Sequence, residues 1–177
     1  MADKSVEVLD DITPRDINDL CDAAESAITE GGGFGWIDVP PRQTLETYWR
    51  GVMLVPERTL FVGRLDSVIA GSAQLVRPTK NNEAQSHAAA LTTNFVAPWA
   101  RGYGIGHALI QAVVDRARAD SFAILNLDVR ATQDIAIARY DSLGFVRWAE
   151  NPHYARVGDE WVTGYYYYKV LNGESGC

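Results

Sequence analysis

A mixed α/β fold is predicted by three features of this sequence. Apolar segments of strand character alternate with segments of helical period. Asp66-Ser67 separates two strand-like runs as a hairpin turn, and a glycine-rich turn at 101–106 joins an apolar strand to a helix. With 177 residues, 47% of them hydrophobic, there is ample material for one core. A single domain over 1–177 is expected, because no internal repeat or linker interrupts the pattern.

Residues 5–9 alternate weakly and read as a first strand. Thr13-Pro14 supplies an N-cap and a first-turn proline, and Ile17, Leu20, Ala24, Ala27 and Ile28 carry the helical stripe that follows. Gly31-Gly32-Gly33 ends that helix. An aromatic, proline-rich loop over 34–41 precedes a short helix over 44–53, which Pro56 keeps from continuing. The hairpin strands cover 60–63 and 68–76, a polar loop spans 78–86, and a long strand runs from 88 to 97. After the glycine turn, a helix to about residue 119 is expected to bury Ala108, Leu109, Ala112, Val113 and Ala117. A strand over 122–129 follows, then a helix to Leu143 capped by Thr132 or Asp134. Strands over 145–149 and 161–171, with a loop over 151–160 between them, complete the pattern.

The net charge of −7 bounds the partners. Asp10, Asp11, Asp16, Asp19, Asp22, Glu25 and Glu30 crowd the first thirty positions, which argues against nucleic acid, since phosphate neutralisation needs a basic face. No apolar run approaches the roughly 20 residues that span a bilayer. The N-terminus lacks the apolar stretch of a secretory signal. Cys21 and Cys177 are isolated thiols without metal-ligand spacing, so no metal site and no disulfide framework is expected. A cytoplasmic protein is the expectation.

The most informative stretch runs from Asn94 to Leu109. The first N–H groups of a helix lack internal partners and sit at the positive end of its dipole, which makes this turn an anion site suited to a phosphate or pyrophosphate. Two familiar phosphate loops fail on spacing. No Gly-Lys pair exists for a P-loop, and Gly102, Gly104 and Gly106 are spaced two and two, unlike the dinucleotide fingerprint. Arg101-Gly102-Tyr103-Gly104-Ile105-Gly106 after V-x-P does resemble the Gln/Arg-x-x-Gly-x-Gly/Ala pyrophosphate loop of the GCN5-related N-acetyltransferases. A second segment, Ala136-Ile137-Ala138-Arg139-Tyr140-Asp141-Ser142-Leu143-Gly144-Phe145, is similar to that family's later A-I-x-L-Y-x-x-x-G-F element. Local physics agrees, with Gly144 a natural residue just past a helix end and Phe145 opening an apolar run.

The resemblance implies a mostly antiparallel central sheet flanked by helices, acetyl-CoA as cosubstrate, and direct acetyl transfer to a primary amine in a ternary complex. It implies that backbone N–H groups from Arg101, Gly102, Tyr103, Gly104, Ile105, Gly106 and His107 cradle the pyrophosphate, with the Arg101 side chain able to join them. The backbone of Phe95 and Val96 would pair with the pantetheine arm, and Gln133 stands where relatives often carry an asparagine near the cofactor. Tyr140 is the candidate general acid for the departing thiolate. A phenol with a pKa near 10 is matched to a thiol near 8.5.

The general base has two candidates. Many relatives carry a glutamate on the strand before the glycine turn, but here that strand reads Ala88-Ala89-Ala90-Leu91-Thr92-Thr93-Asn94. Asp128, late in the next strand, is the best replacement, and His87 is a second candidate acting through water. Ser86-His87-Ala88, Leu127-Asp128-Val129-Arg130 and Pro152-His153-Tyr154-Ala155 look similar to the tabtoxin-resistance branch, which commonly has a glutamate at the Ala90 position. Phe34, Trp36, Tyr154 and Trp161 are the candidate acceptor contacts, since aromatic side chains combine contact area with polar handles. Core packing is the competing role for each. The resemblance also implies a homodimer. Two rival readings stand beside a small-molecule acetyltransferase: a catalytically silent acyl-CoA-binding module, and an enzyme acting on protein N-termini or lysines.

Overall fold

The computed structural model describes residues 1–32 and 34–172. Gly33, read above as part of a helix stop, and Cys177 lie outside the described residues. Among the described residues, seven strands and four α-helices follow in this order: β1 (Lys4–Val8), α1 (Pro14–Thr29), α2 (Arg42–Leu54), β2 (Arg58–Leu65), β3 (Val68–Val76), β4 (Ala88–Val96), α3 (Ile105–Ala119), β5 (Ile124–Arg130), α4 (Asp134–Ser142), β6 (Val146–Val157) and β7 (Glu160–Val170). The chain divides into two compact units, Met1–Val76 with Thr93–Val113, and Arg77–Thr92 with the residues from Val114 onward. Strand β4 runs through both. The expected mixed α/β architecture, a central and mostly antiparallel sheet flanked by helices, is present.

In the first unit the strand order is β1-β2-β3, with the 93–96 end of β4 beside β3. Both ladders among β1, β2 and β3 are antiparallel. Asp66 and Ser67, with φ of 48° and 69°, form the left-handed two-residue turn between β2 and β3 that matches strand twist. Helix α1 begins with a capping box. Thr13 Oγ1 accepts from the Asp16 N–H (3.1 Å), and Asp16 Oδ2 accepts from the Thr13 N–H (3.0 Å). Arg64 on β2 donates to Asp16 Oδ1 at 2.8 Å. Burial pushes the Asp16 carboxyl up, but the Thr13 and Arg64 hydrogen bonds outweigh it and hold the group below the usual carboxylate range. The predicted stripe Ile17, Leu20, Ala24, Ala27 and Ile28 is buried against Leu45, Trp49 and Val52 of α2, Leu60 and Val62 of β2, and Phe95 of β4. Ile17, Leu20 and Ile28 each contribute roughly 1.5–3 kcal/mol on burial, and the alanines less.

In the second unit the order is the 88–92 end of β4, then β5, β7 and β6. β4 and β5 are parallel, with a register from Ala88–Ile124 to Ala90–Asn126, whereas β5 continues to Arg130 along antiparallel β7. Alternation along β5 leaves Asn126 and Asp128 exposed and buries Leu125, Leu127 and Val129 on the opposite face. Helix α4 ends as predicted. Gly144 has φ 77°, its N–H donates to Asp141 O, and the Phe145 N–H donates to Tyr140 O at 3.1 Å, which is the Schellman closure.

Three sequence expectations need correction. The loop expected over 151–160 is strand: β6 runs to Val157, and only Gly158 and Asp159 turn before β7. Pro152 is tolerated because the ladder bulges there and β6 ends the strand order. Neither Thr132 nor Asp134 caps α4. Gln133 holds the cap position without a side-chain capping bond to the helix, and Asp134 is the first helical residue, where its charge suits the helix dipole. In α3, Ala108 and Ala112 are only half-buried, while Ile105, Ile110 and Val114 join Leu109, Val113 and Ala117 in the core.

Candidate active site

In the first unit, β4 hands over to a single 3-10 turn at Pro98–Ala100, and Arg101 resumes an extended backbone. Gly102 (φ 86°) and Gly104 (φ 78°) then take left-handed conformations before α3 starts at Ile105. A Cβ on Gly102 would meet nothing within 4 Å, so glycine is required there by backbone conformation and not by crowding. Arg101, Gly102, Tyr103 and Gly104 are exposed, as is His107 on the first turn of α3, whereas Ile105 and Gly106 are buried. The expected phosphate cradle is therefore a solvent-facing turn at a helix start.

Two charges flank the turn. Arg101 pairs with Glu30, so any phosphate contact by its guanidinium first requires that surface pair to open. The Lys4 ammonium donates to Tyr103 O at 3.0 Å and lies 3.2 Å from where a Gly104 Cβ would be. Sequence reasoning missed Lys4. It reaches the turn only because β1 pairs with β2, and no local signal connects residues 99 positions apart.

The candidate arm and acceptor residues of this unit meet in one aromatic group. Phe34 stacks on Phe95 with ring centroids 4.8 Å apart, and Trp36 sits edge-on to Phe34 and to Tyr48. Phe34 and Trp36 are half-buried against the core, so the competing packing role holds for much of their surface. Tyr48 and Gln74 were not anticipated. Arg58 donates to Gln74 Oε1 (2.6 Å), which orients the Gln74 amide to donate to Tyr48 Oη (3.0 Å), and Tyr48 lies 3.3 Å from Thr93 Oγ1. Thr93 itself is left-handed within β4, with φ 52°. On the β3 side of β4, Phe95 O is covered by Gly71, and the Ala97 N–H donates to Ala70 O, which closes that edge. Val96 is half-buried.

In the second unit, Asp128 and Tyr154 are brought together: the Tyr154 phenol donates a hydrogen bond to Asp128 Oδ2. Burial first, and this bond to a carboxylate second, push the Tyr154 phenol well up, so it stays protonated. Tyr154 belongs to β6 and Trp161 to β7, not to loops, and the exposed Trp161 ring stands edge-on to His153 at 5.2 Å. Tyr140, on α4, is buried against Phe145 and Tyr167. Tyr167 pairs with Leu127 and Tyr166 with Asp128, so Tyr140 and Asp128 stand on opposite faces of the β5–β7 ladder. Ala90 is level with Asn126, which places Asp128 on the Ala90 face, two residues further along. His87 is exposed just before β4, and its carbonyl accepts from Ala123 and Ile124. Gln133 is half-buried at the start of α4.

Burial pushes the Cys21 thiol up to about 11, which leaves no thiolate for nucleophilic chemistry. Among the described residues no group of three or more His, Cys, Asp or Glu stands ready to hold a metal ion. Nor is any described helix long and apolar enough to cross a membrane.

Comparison with known proteins agrees with this geometry. Residues 21–145 match the acetyltransferase (GNAT) family. An uncharacterised N-acetyltransferase from the hisH-hisA intergenic region of Azospirillum brasilense is 61% identical over 133 residues, which is 75% of this chain and 79% of that protein. Among solved structures, an N-acetyltransferase from Staphylococcus aureus Mu50 superposes with a TM-score of 0.80 at 16% identity, covering 96% of this chain and 99% of that one. The structure of yncA from Salmonella typhimurium, determined with its cofactor acetyl-CoA, superposes with a TM-score of 0.75 at 14% identity, covering 98% and 96%.

Proposed function

This chain belongs to the GNAT acetyltransferase family, and on that premise we propose that it transfers an acetyl group from acetyl-CoA to a primary amine of a small molecule, directly and within a ternary complex. The observation that carries the reading is the turn ahead of α3. Its two left-handed glycines leave a run of backbone N–H groups at a helix start, the arrangement an anionic pyrophosphate needs. The acetyl-CoA named with the Salmonella structure supports the same donor. Lys4, beside Tyr103 O, adds a positive charge next to that turn. Family membership spans both compact units, which supports reading 1–177 as one N-acetyltransferase domain.

The amine nitrogen attacks the thioester carbonyl carbon, the C–S bond breaks, and the thiolate leaves. A thioester is already activated, so positioning supplies much of the acceleration. Tyr140 gives its phenolic proton to the thiolate, and Asp128 takes the proton released by the attacking nitrogen. Asp128 takes the part of the glutamate that the Ala90 position lacks, since both side chains share one face of neighbouring strands. His87 is held in reserve as a base through water. The segments around His87, Asp128 and Tyr154 support a place in the tabtoxin-resistance branch and hence a small-molecule acceptor. The family resemblance supports a homodimer.

Free-thiol release from acetyl-CoA, measured across a panel of amines, polyamines and amino acid derivatives, tests the proposal. Release with one amine class is expected and names the acceptor. Tight acetyl-CoA binding with no release across the panel and across N-terminal peptides contradicts it and favours a silent acyl-CoA-binding module.

A further inference from the structure

We propose that Tyr154 is a positioning residue for Asp128, reaching it from β6 across β7 through a bulge in β6 and a gap kept open by Gly164. The inference rests on the reading of Asp128 as the base. Strand β6 is not a neighbour of β5, because β7 lies between them. Neighbouring strands are about 4.8 Å apart, so a β6 side chain must lie flat over β7 to touch a β5 carboxylate. Side chains ordinarily stand perpendicular to a sheet, which makes this an arrangement that needs building.

Three features build it. Asn151 pairs with Gly164 and Ala155 with Val162, so Pro152, His153 and Tyr154 all stand opposite Thr163 alone. This oversized bulge redirects Tyr154 without stranding its backbone: Pro152 has no N–H, and the His153 N–H donates to Asn151 Oδ1 at 2.9 Å. The second feature is Gly164. A Cβ there would lie 2.0 Å from Tyr154 Cγ, so the ring rests on the bare backbone of β7. The third is Tyr166, which pairs with Asp128 and meets the Tyr154 ring edge-on at 6.0 Å and 84°. With the ring fixed by Gly164 and Tyr166, its O–H can only be delivered to one place, Asp128 Oδ2.

The chemical consequence is specific. The donated hydrogen bond holds one carboxylate oxygen in place and turns Oδ1 toward the amine N–H. Besides Asp128, the charged and titratable groups that act on the Tyr154 phenol include Tyr166 on β7 and Arg130, which shares the Asp128 face of β5. Asn126, the next residue on that face, carries no charge. Tyr154 therefore acts through Asp128, and need not itself touch the acceptor.

The test follows the Tyr154 phenol by 13C NMR at pH 7 in protein labelled at tyrosine Cζ, with Tyr154→Phe used to assign the signal. The bond to Asp128 helps to perturb that phenol, so Asp128→Asn is expected to move the Tyr154 signal toward that of an unbonded tyrosine. Gly164→Ala, which displaces the ring while keeping the phenol, is expected to do the same. An unchanged signal in folded Asp128→Asn overturns the inference, as does a Gly164→Ala signal equal to wild type. A kinetic arm separates the inference from the reading beneath it, using the amine that wild type turns over fastest. If Asp128→Asn loses turnover and adding Tyr154→Phe to it loses nothing more, Tyr154 acts through Asp128. If the two losses multiply, Asp128 remains the base and the positioning role falls. Wild-type turnover in Asp128→Asn removes the base reading and the positioning role together, even where the NMR shift shows the hydrogen bond intact.

Discussion

The turn at residues 101–106 and the bulge at 151–155 both depend on glycine, for opposite reasons. Gly102 and Gly104 are needed for their own backbone angles: φ of 86° and 78° would strain any other residue, whatever surrounds them. Gly164, beside the bulge, has no such angle, and matters because a tyrosine ring from another strand lies where its Cβ would be. The first requirement is written in the local chain and shows as a motif. The second exists only after β6 and β7 have paired, and it leaves a single unremarkable glycine in a run of aromatic residues.

That contrast makes predictions of decreasing size. Replacing both turn glycines, Gly102→Ala with Gly104→Ala, is expected to weaken acetyl-CoA binding at least tenfold by calorimetry. Each left-handed alanine costs roughly 1–2 kcal/mol in the geometry that presents the amides. No second substitution elsewhere should restore binding, because the strain is intrinsic. Gly164→Ala, in contrast, is expected to lower stability by about 1–3 kcal/mol in urea titrations through overpacking. Most of that loss should vanish in a Tyr154→Ala background, where the ring is gone. A Gly164→Ala effect that is the same in both backgrounds would make the two glycines alike and break the comparison.

Asp16 lies between these extremes, with one local partner and one distant one. Its carboxyl is held low by Thr13, three residues away, and by Arg64 on β2. A depressed folded-state pKa contributes stability that is present above the unfolded value near 3.9 and is lost as pH falls through the lower folded value. Asp16→Asn is accordingly expected to destabilise the protein by about 2 kcal/mol near neutral pH. Thermal midpoints of variant and wild type should converge as pH drops below about 4. A gap that stays constant down to pH 2 would mean that the charge is irrelevant.

How far the sequence could be read follows the same division. The N-cap at Thr13, the Asp66-Ser67 turn, the Gly144 helix stop and the buried stripe of α1 each arise from residues within a few positions of one another. Each could be read from the chain and is found in place. Strand β6 could not be followed past Pro152, because a proline in a strand is permitted only by a bulge on an unpaired edge, a property of the sheet. Lys4 beside Tyr103, Arg64 on Asp16 and Tyr154 on Asp128 are contacts between distant segments that no spacing encodes. In the candidate site, the motif residues could be anticipated from the turn and the Tyr140 segment. The partners that orient the proposed base could not.

The most direct test of the central claim is kcat for Tyr140→Phe against wild type, with acetyl-CoA and the amine identified by the release panel. The account predicts at least a tenfold fall in kcat, with the KM for acetyl-CoA and the thermal midpoint little changed, because only the proton donated to the thiolate is removed. A kcat equal to that of wild type would contradict it, leaving Tyr140 as a packing residue against Phe145 and Tyr167.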